Sequence, residues 1–162
     1  MNWVIFIKMK LIIKPINISF KPLEKQDIDD VLAIECLAYS APWNKAKFVG
    51  SLGNKQTLAV LILLKGKIIG YAIALRSIDS ADLLNLCIHP KNQHQGLGSQ
   101  LFLNLVTQLK EFDIDSVILE VRQSNKAARS FYQKNGFELI DTRKKYYADG
   151  EDAKILCFQI NK

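Results

Sequence analysis

The chain has little of what marks several protein classes. Only three cysteines, Cys36, Cys87 and Cys157, occur in 162 residues, widely separated and flanked by apolar residues. Their odd number and spacing suit neither a disulfide framework nor a zinc site, which points to a reducing cytoplasm. The two histidines, His89 and His94, have no acidic ligand cluster beside them, so no metal is expected. No tract reads as a linker, a repeat or low complexity. No unbroken apolar run is long enough to span a membrane either. The opening "MNWVIFIKMKLIIKPI" is apolar, but Lys8, Lys10 and Lys14 interrupt it within too short a span. It also lacks the small-residue cleavage site of a secretory signal. Residues 1–16 therefore read as an extension, either an added edge strand or a mis-assigned start with translation beginning near Met9.

What remains suits one globular domain over residues 17–162, with 49% hydrophobic content and a sizeable core. The formal charge of +6 suits an anionic ligand. The basic residues are dispersed, however, and no basic stripe with interleaved aromatics appears, so direct nucleic-acid binding is not expected. The expected state is a monomer or weak dimer.

Periodicity gives the elements. "NISFKPL" alternates like a strand, and Asp27 to Ala38 follows helical spacing. Pro42 breaks the chain, and a short helix is expected from Asn44 to Leu52. "TLAVLILLKGKIIGYAIAL" reads as two strands joined by a tight turn at Lys65–Gly66–Lys67, an antiparallel hairpin. "ADLLNLCIHP" is a further strand ended by Pro90. A helix to about Phe112 follows, then the buried strand "SVILEV". Next come a helix from Asn125 to Asn135 stopped by Gly136, a strand through "FELIDTRKKYY" and a last strand "AKILCFQI". Strands and helices mix around a central strand–helix–strand unit, so the class is α/β or α+β with a mixed sheet.

One stretch carries chemistry by itself. In "NQHQGLGSQLF" two glycines, Gly96 and Gly98, stand at the mouth of the helix on which Leu101, Phe102, Leu105, Val106 and Leu109 recur. A helix N-terminus offers unpaired N–H groups and a positive dipole end to an anion. A tight strand-to-helix turn would use the same glycines, so the residues alone leave both readings open.

Gln93 to Gly98 resembles the Q/R-x-x-G-x-G/A pyrophosphate loop of the GNAT acetyltransferases, and the element order is also theirs. "APW", "LEVRQSNKAARSFYQKNGF", "RKKYY" and "EDA" make residues 17 to 160 similar to the RimI-type ribosomal-protein alanine N-acetyltransferases. The resemblance implies a mixed, mostly antiparallel central sheet flanked by helices, acetyl-CoA as co-substrate, and an acceptor that is the N-terminal alanine of small-subunit ribosomal protein eighteen. It places the acetyl-CoA pyrophosphate on the amides of His94, Gln95, Gly96, Leu97, Gly98 and Ser99. Leu86, Cys87 and Ile88 match the strand whose backbone pairs with pantetheine and polarises the thioester carbonyl.

By the same resemblance Glu120 is the proton acceptor and Tyr132 the acid that protonates the departing thiolate. The chemistry requires the acceptor and permits a phenol as the donor. An α-amine with a pKa of about 8 must lose a proton to attack a thioester, and a phenol starts protonated at neutral pH. Read without the family, Glu120 is a solvated strand-end carboxylate and Tyr132 a core aromatic. Asn125 reads as a helix N-cap and by resemblance also contacts the CoA arm. Cys87 has no paired histidine, so transfer is expected to be direct, through a ternary complex, and not by an acetyl-cysteine. His89 stands where related enzymes often carry aspartate. Trp43, Tyr146, Tyr147 and the Glu151–Asp152 pair are acceptor-side candidates that surface packing would explain equally. Two other functions use the same fold: acetylation of a small amine, which "APW" and "RKKYY…EDA" argue against, and a non-catalytic acyl-CoA-binding module, which Glu120 with Tyr132 argues against.

Overall fold

The computed structural model describes residues 17–160; the expectations for residues 1–16 lie outside them. The strands are β1 (Ile18–Pro22), β2 (Thr57–Leu64), β3 (Lys67–Arg76), β4 (Ser80–Ile88), β5 (Ser116–Arg122), β6 (Glu138–Arg143) and β7 (Ala153–Gln159). The helices are α1 (Ile28–Ala38), α2 (Lys45–Gly53), α3 (Leu97–Lys110) and α4 (Lys126–Lys134). They form one seven-stranded sheet in the order β1-β2-β3-β4-β5-β7-β6. Every neighbouring pair is antiparallel except β4–β5, which is parallel and flanks α3. This is the mixed, mostly antiparallel sheet expected from the sequence, with the strand–helix–strand unit at its centre.

Local sequence explains the element ends. Lys65 and Gly66 both take positive φ, and two such residues make a turn whose twist matches the β2–β3 hairpin. Asn44 and Asn125 each accept from the backbone N–H three residues on, at 2.9 and 3.1 Å, and so cap α2 and α4. α1 is preceded by a 3-10 turn, Lys25–Asp27, in which the buried Asp27 carboxylate takes Lys21 Nζ at 2.8 Å and the Glu24 N–H at 3.0 Å. The strand expected through Tyr147 ends earlier, at Arg143. Lys144 to Asp152 form a turn instead, held by the Lys144–Asp152 ion pair and by the Asp152 and Asp149 carboxylates, which accept from the Lys145 and Glu151 N–H groups.

The sheet carries a core on each face. On one side α3 buries Leu97, Leu101, Phe102, Leu105, Val106 and Leu109 against Val117, Leu119 and Val121 of β5. On the other, α1 and α2 cover β2 to β4 with Val31, Ile34 and Phe48 against Leu61, Tyr71 and Ile73. Side chains alternate along a strand, so Ile118, Glu120 and Arg122 point away from α3. Glu120 remains exposed on that second face.

Candidate active site

Parallel pairing of β4 with β5 runs only from Ser80–Asp82 against Ser116–Ile118. Past it, β4 is paired to β3 alone and β5 to β7 alone, so the two central strands part. A bulge helps. Ile73 opposes Asn85 while Ala74 opposes Leu83, which leaves Leu84 as the extra residue. The bulge also shifts the alternation: Ala81 and Leu83 belong to the α3 core, whereas Asn85 and Cys87 face α1. Leu86 to Ile88 thus border the gap. The Leu86 carbonyl accepts from Tyr39 Oη at 2.8 Å, and the Ile88 carbonyl from Gln93 Nε2 at 2.9 Å.

The glycine turn leads from β4 into α3. His94 has φ +60° and Gly96, the N-cap, φ +76°, the left-handed region that glycine tolerates best. The first-turn amides of Leu97, Gly98 and Ser99 have no intrahelical acceptor, as at any helix N-terminus. Gly98 has a packing reason as well: a Cβ there would stand 3.1 Å from the Phe131 ring of α4. His94 and Gln95 side chains are exposed and Leu97 is buried in the core. Among the described residues no cluster of His, Cys, Asp and Glu could hold a metal.

Tyr132 on α4 stacks edge-on against Phe131 and Phe137, both at 5.2 Å. Burial pushes its phenol up to about 12. The Tyr39 phenol is raised by burial, then by Cys87 and Tyr132 nearby, so both phenols converge where Tyr39 meets Leu86. Cys87 is buried, and desolvation with the Glu35 carboxylate pushes its thiol up to about 12. Glu35 itself is 1% exposed. Its carboxylate takes the Tyr71 hydroxyl, the Trp43 N–H at 2.8 Å and Asn85 Nδ2 at 3.3 and 3.4 Å. This buried network ties the α1–α2 loop to β3 and β4.

Glu120 stands two residues before the end of β5 and is paired with Arg143 of β6. The Tyr146 phenol lies beside the same carboxylate, which raises its pKa. Tyr147 packs its ring 3.9 Å from the Arg122 guanidinium, and Arg122 bonds Asp149 and Glu151 at 2.8 Å each. Asp152 accepts from Lys144 Nζ at 2.8 Å and the Lys145 N–H at 2.9 Å. The structure therefore brings Tyr146 to Glu120, while Asp152 acts within the turn and Glu151 ties the turn to Arg122 and the Ser124 N–H. Trp43 goes elsewhere: it packs 5.4 Å from Phe48 in the α1/α2 core, with Lys47 Nζ 4.2 Å over its ring.

Residues 28–137 match the acetyltransferase (GNAT) family. The chain belongs to the GNAT acetyltransferase family. It is 34% identical over 146 residues to the ribosomal protein bS18-alanine N-acetyltransferase of Escherichia coli strain K12, covering 88% of this chain and 98% of that protein. Similarity to the ribosomal protein bS18-alanine N-acetyltransferase of Haemophilus ducreyi is 37% over 140 residues, with 84% and 96% covered. The crystal structure of the ribosomal-protein-S18-alanine N-acetyltransferase from Escherichia coli superposes with a TM-score of 0.82 at 32% identity, over 90% of this chain and 95% of that one. The chain is thus an acyltransferase with the GNAT fold.

Sequence reasoning did not single out Arg143, Tyr39 or the Glu35–Tyr71–Asn85 network. Each involves partners separated by 14 to 50 residues, and no short spacing records such a meeting. One signal was present: an acidic residue in the middle of α1, at a position periodicity assigns to the buried face.

Proposed function

We propose that this acyltransferase transfers the acetyl group of acetyl-CoA directly to the N-terminal α-amine of ribosomal protein bS18, at alanine. The observation that carries this reading is the parting of β4 and β5 beyond Asp82 and Ile118, with Leu86 to Ile88 past the split on one strand and Glu120 past it on the other. Glu120 opens to the uncovered face, and Tyr132 approaches from α4 beside Tyr39 and Leu86. Support for the acceptor comes from the activity named for relatives that span nearly their whole length. Residues 17–162 are the catalytic domain in this reading, and residues 1–16 an extension.

The chain's groups divide the work. First-turn amides of α3, with His94 to Gly96 ahead of them, hold the pyrophosphate. Backbone at Leu86, Cys87 and Ile88 takes the pantetheine arm, and Asn125 borders it. The neutral amine attacks the thioester carbon and gives its proton to Glu120, directly or through a water. The C–S bond breaks, and the departing sulfur takes the Tyr132 proton. Cys87 stays a protonated thiol at working pH, so no acetyl-cysteine is formed. Tyr146 and Tyr147 border the acceptor path; Asp152 shapes it by holding Lys144 and Lys145. We place the reaction in the cytoplasm, carried out by a monomer or weak dimer without direct nucleic-acid contact; no described helix is long and apolar enough to cross a membrane.

Mass spectrometry of ribosomal proteins from a deletion strain tests the acceptor. Loss of one acetyl group from bS18 is the expected result, and an unchanged bS18 alongside a lost small-molecule acetylation would transfer the activity to a small amine. Glu120→Gln tests the base: it keeps size and packing, and kcat should fall by roughly two to four powers of ten. The loss should shrink as pH rises toward and past the amine's own pKa of about 8. Parental kcat at neutral pH would remove Glu120 from the mechanism.

A further inference from the structure

Arg143 is the last residue of β6, and Glu120 lies on β5 with β7 between them. In the register Arg143 faces Ala153, which faces Arg122, while Glu120 faces Ile155. The Arg143 side chain therefore leans diagonally across β7 to reach Glu120, passing the small, fully buried Ala153. Its Nη1 meets only one carboxylate oxygen, Oε1. Arg122 shares that face and strand with Glu120 but is already held by Asp149 and Glu151, which leaves the Glu120 carboxylate to Arg143, with the Tyr146 phenol beside it. Tyr146 adds a ring 5.4 Å from the guanidinium. The pair is half open, Arg143 at 53% and Glu120 at 32% side-chain exposure, and exposed ion pairs contribute little to stability. Folding alone does not call for this arrangement.

We propose that Arg143 is a positioning and charge-selecting residue for the proton acceptor: it fixes Glu120 by Oε1, leaves Oε2 to the incoming amine or its bridging water, and opposes entry of that amine as an ammonium. This rests on Glu120 being the base. A guanidinium has donors and no acceptor, so Arg143 takes no proton itself. As nitrogen bonds to the thioester carbon and sulfur leaves, the amine proton passes to Glu120. The neutral acid no longer attracts Arg143 as strongly, and loss of that proton to water restores the pair for the next turnover.

Five enzymes test it: parent, Arg143→Gln, Arg143→Lys, Glu120→Gln and the Arg143→Gln/Glu120→Gln double variant, assayed across pH with acetyl-CoA and a short peptide bearing a free N-terminal alanine. Tm and CoA affinity by calorimetry serve as controls and should stay parental in Arg143→Gln. Its kcat should fall roughly ten- to hundredfold through a misplaced base. Below about pH 8, where the peptide amine is mostly ammonium, its KM for peptide should drop under the parental value, because a bare carboxylate now attracts that form. Arg143→Lys should restore the KM profile more fully than kcat, since it keeps the charge and loses the fork. In the Glu120→Gln background the Arg143 change should add less than about twofold. Parental kcat and KM at every pH in Arg143→Gln overturn the proposal while the loss in Glu120→Gln keeps the base. Equal losses in both backgrounds overturn it too, because Arg143 then acts elsewhere. An active Glu120→Gln enzyme instead removes the base assignment itself. If glutamine lowers Tm, Arg143→Met, which keeps the apolar stem over Ala153, carries the same comparison.

Discussion

The Tyr132 phenol and the Cys87 thiol are both pushed up to about 12, and in both the first cause is burial. The same physics gives them opposite chemical value. A buried phenol still has a proton to give a leaving thiolate, although as a weaker acid than free tyrosine, whereas a thiol that holds its proton is a poor nucleophile. Tyr132→Phe keeps the ring stacked on Phe131 and Phe137, so any deficit reports the hydroxyl. In stopped assays kcat should fall by roughly two powers of ten, with Tm parental and, unlike Glu120→Gln, with a deficit that persists at alkaline pH. A loss that vanished by the pH at which Glu120→Gln recovers would remove the acid role. Tyr132 was legible as a residue of a motif, but its donor character depends on the surrounding rings, which lie in α4, in Phe137 and across the gap at Tyr39.

Among the elements, the α3 N-terminus depends on conformation more than on space. Nothing lies within 4 Å of a Cβ built on Gly96, yet its φ is +76°. Gly96→Val should therefore fail through backbone strain, since a β-branched residue strongly disfavours that region. Calorimetry should show CoA binding severely weakened in a protein whose circular dichroism is unchanged; parental affinity would remove the loop from the site. The β6–β7 turn is held electrostatically. Glu151 accepts from the Ser124 side chain, from the Ser124 backbone N–H at 2.6 Å and from Arg122, which together lower its pKa from 4.5 to about 2. A depressed carboxylate stabilises the fold fully above its unfolded value and loses that contribution as pH falls toward its folded one. The window is thus from 4.5 down to about 2. The Ser124 amide resonance should titrate at the lower end of that window, and Glu151→Gln should abolish the transition; a midpoint at 4.5 would mean the turn is open in solution.

At the scale of the molecule, the α3 side of the sheet is closed by three rings. Phe102, fully buried, lies 5.1 Å from Phe137 and 5.2 Å from Phe158, joining α3, the start of β6 and β7. Phe102→Ala removes the ring from a core that cannot collapse around it, a loss of roughly 3–5 kcal/mol. For a domain of this size Tm should fall by roughly 6–20 °C, measured by calorimetry with cooperativity retained. A change of less than about 2 °C would mean that the cluster is loosely packed.

The sequence by itself determined the elements and their order, because alternation, helical periodicity, glycine turns and asparagine caps act within a few residues of chain. It also determined the turn into α3, whose glycines and following helix are contiguous, while the residues alone left anion binding and a plain tight turn both open. Only the tertiary structure decided where the sheet parts, since the Leu84 bulge and the short β4–β5 ladder depend on which strands lie side by side. The bulge turned Asn85 and Cys87 toward α1, against the alternation that strand reading assumes. It decided as well that Glu120 meets Arg143, that Trp43 belongs to a core, and that a buried Glu35 ties the α1–α2 loop to two strands. Each of these joins groups from different elements. Charge pairing and burial act through distance in space, and local patterns in a sequence do not encode that distance.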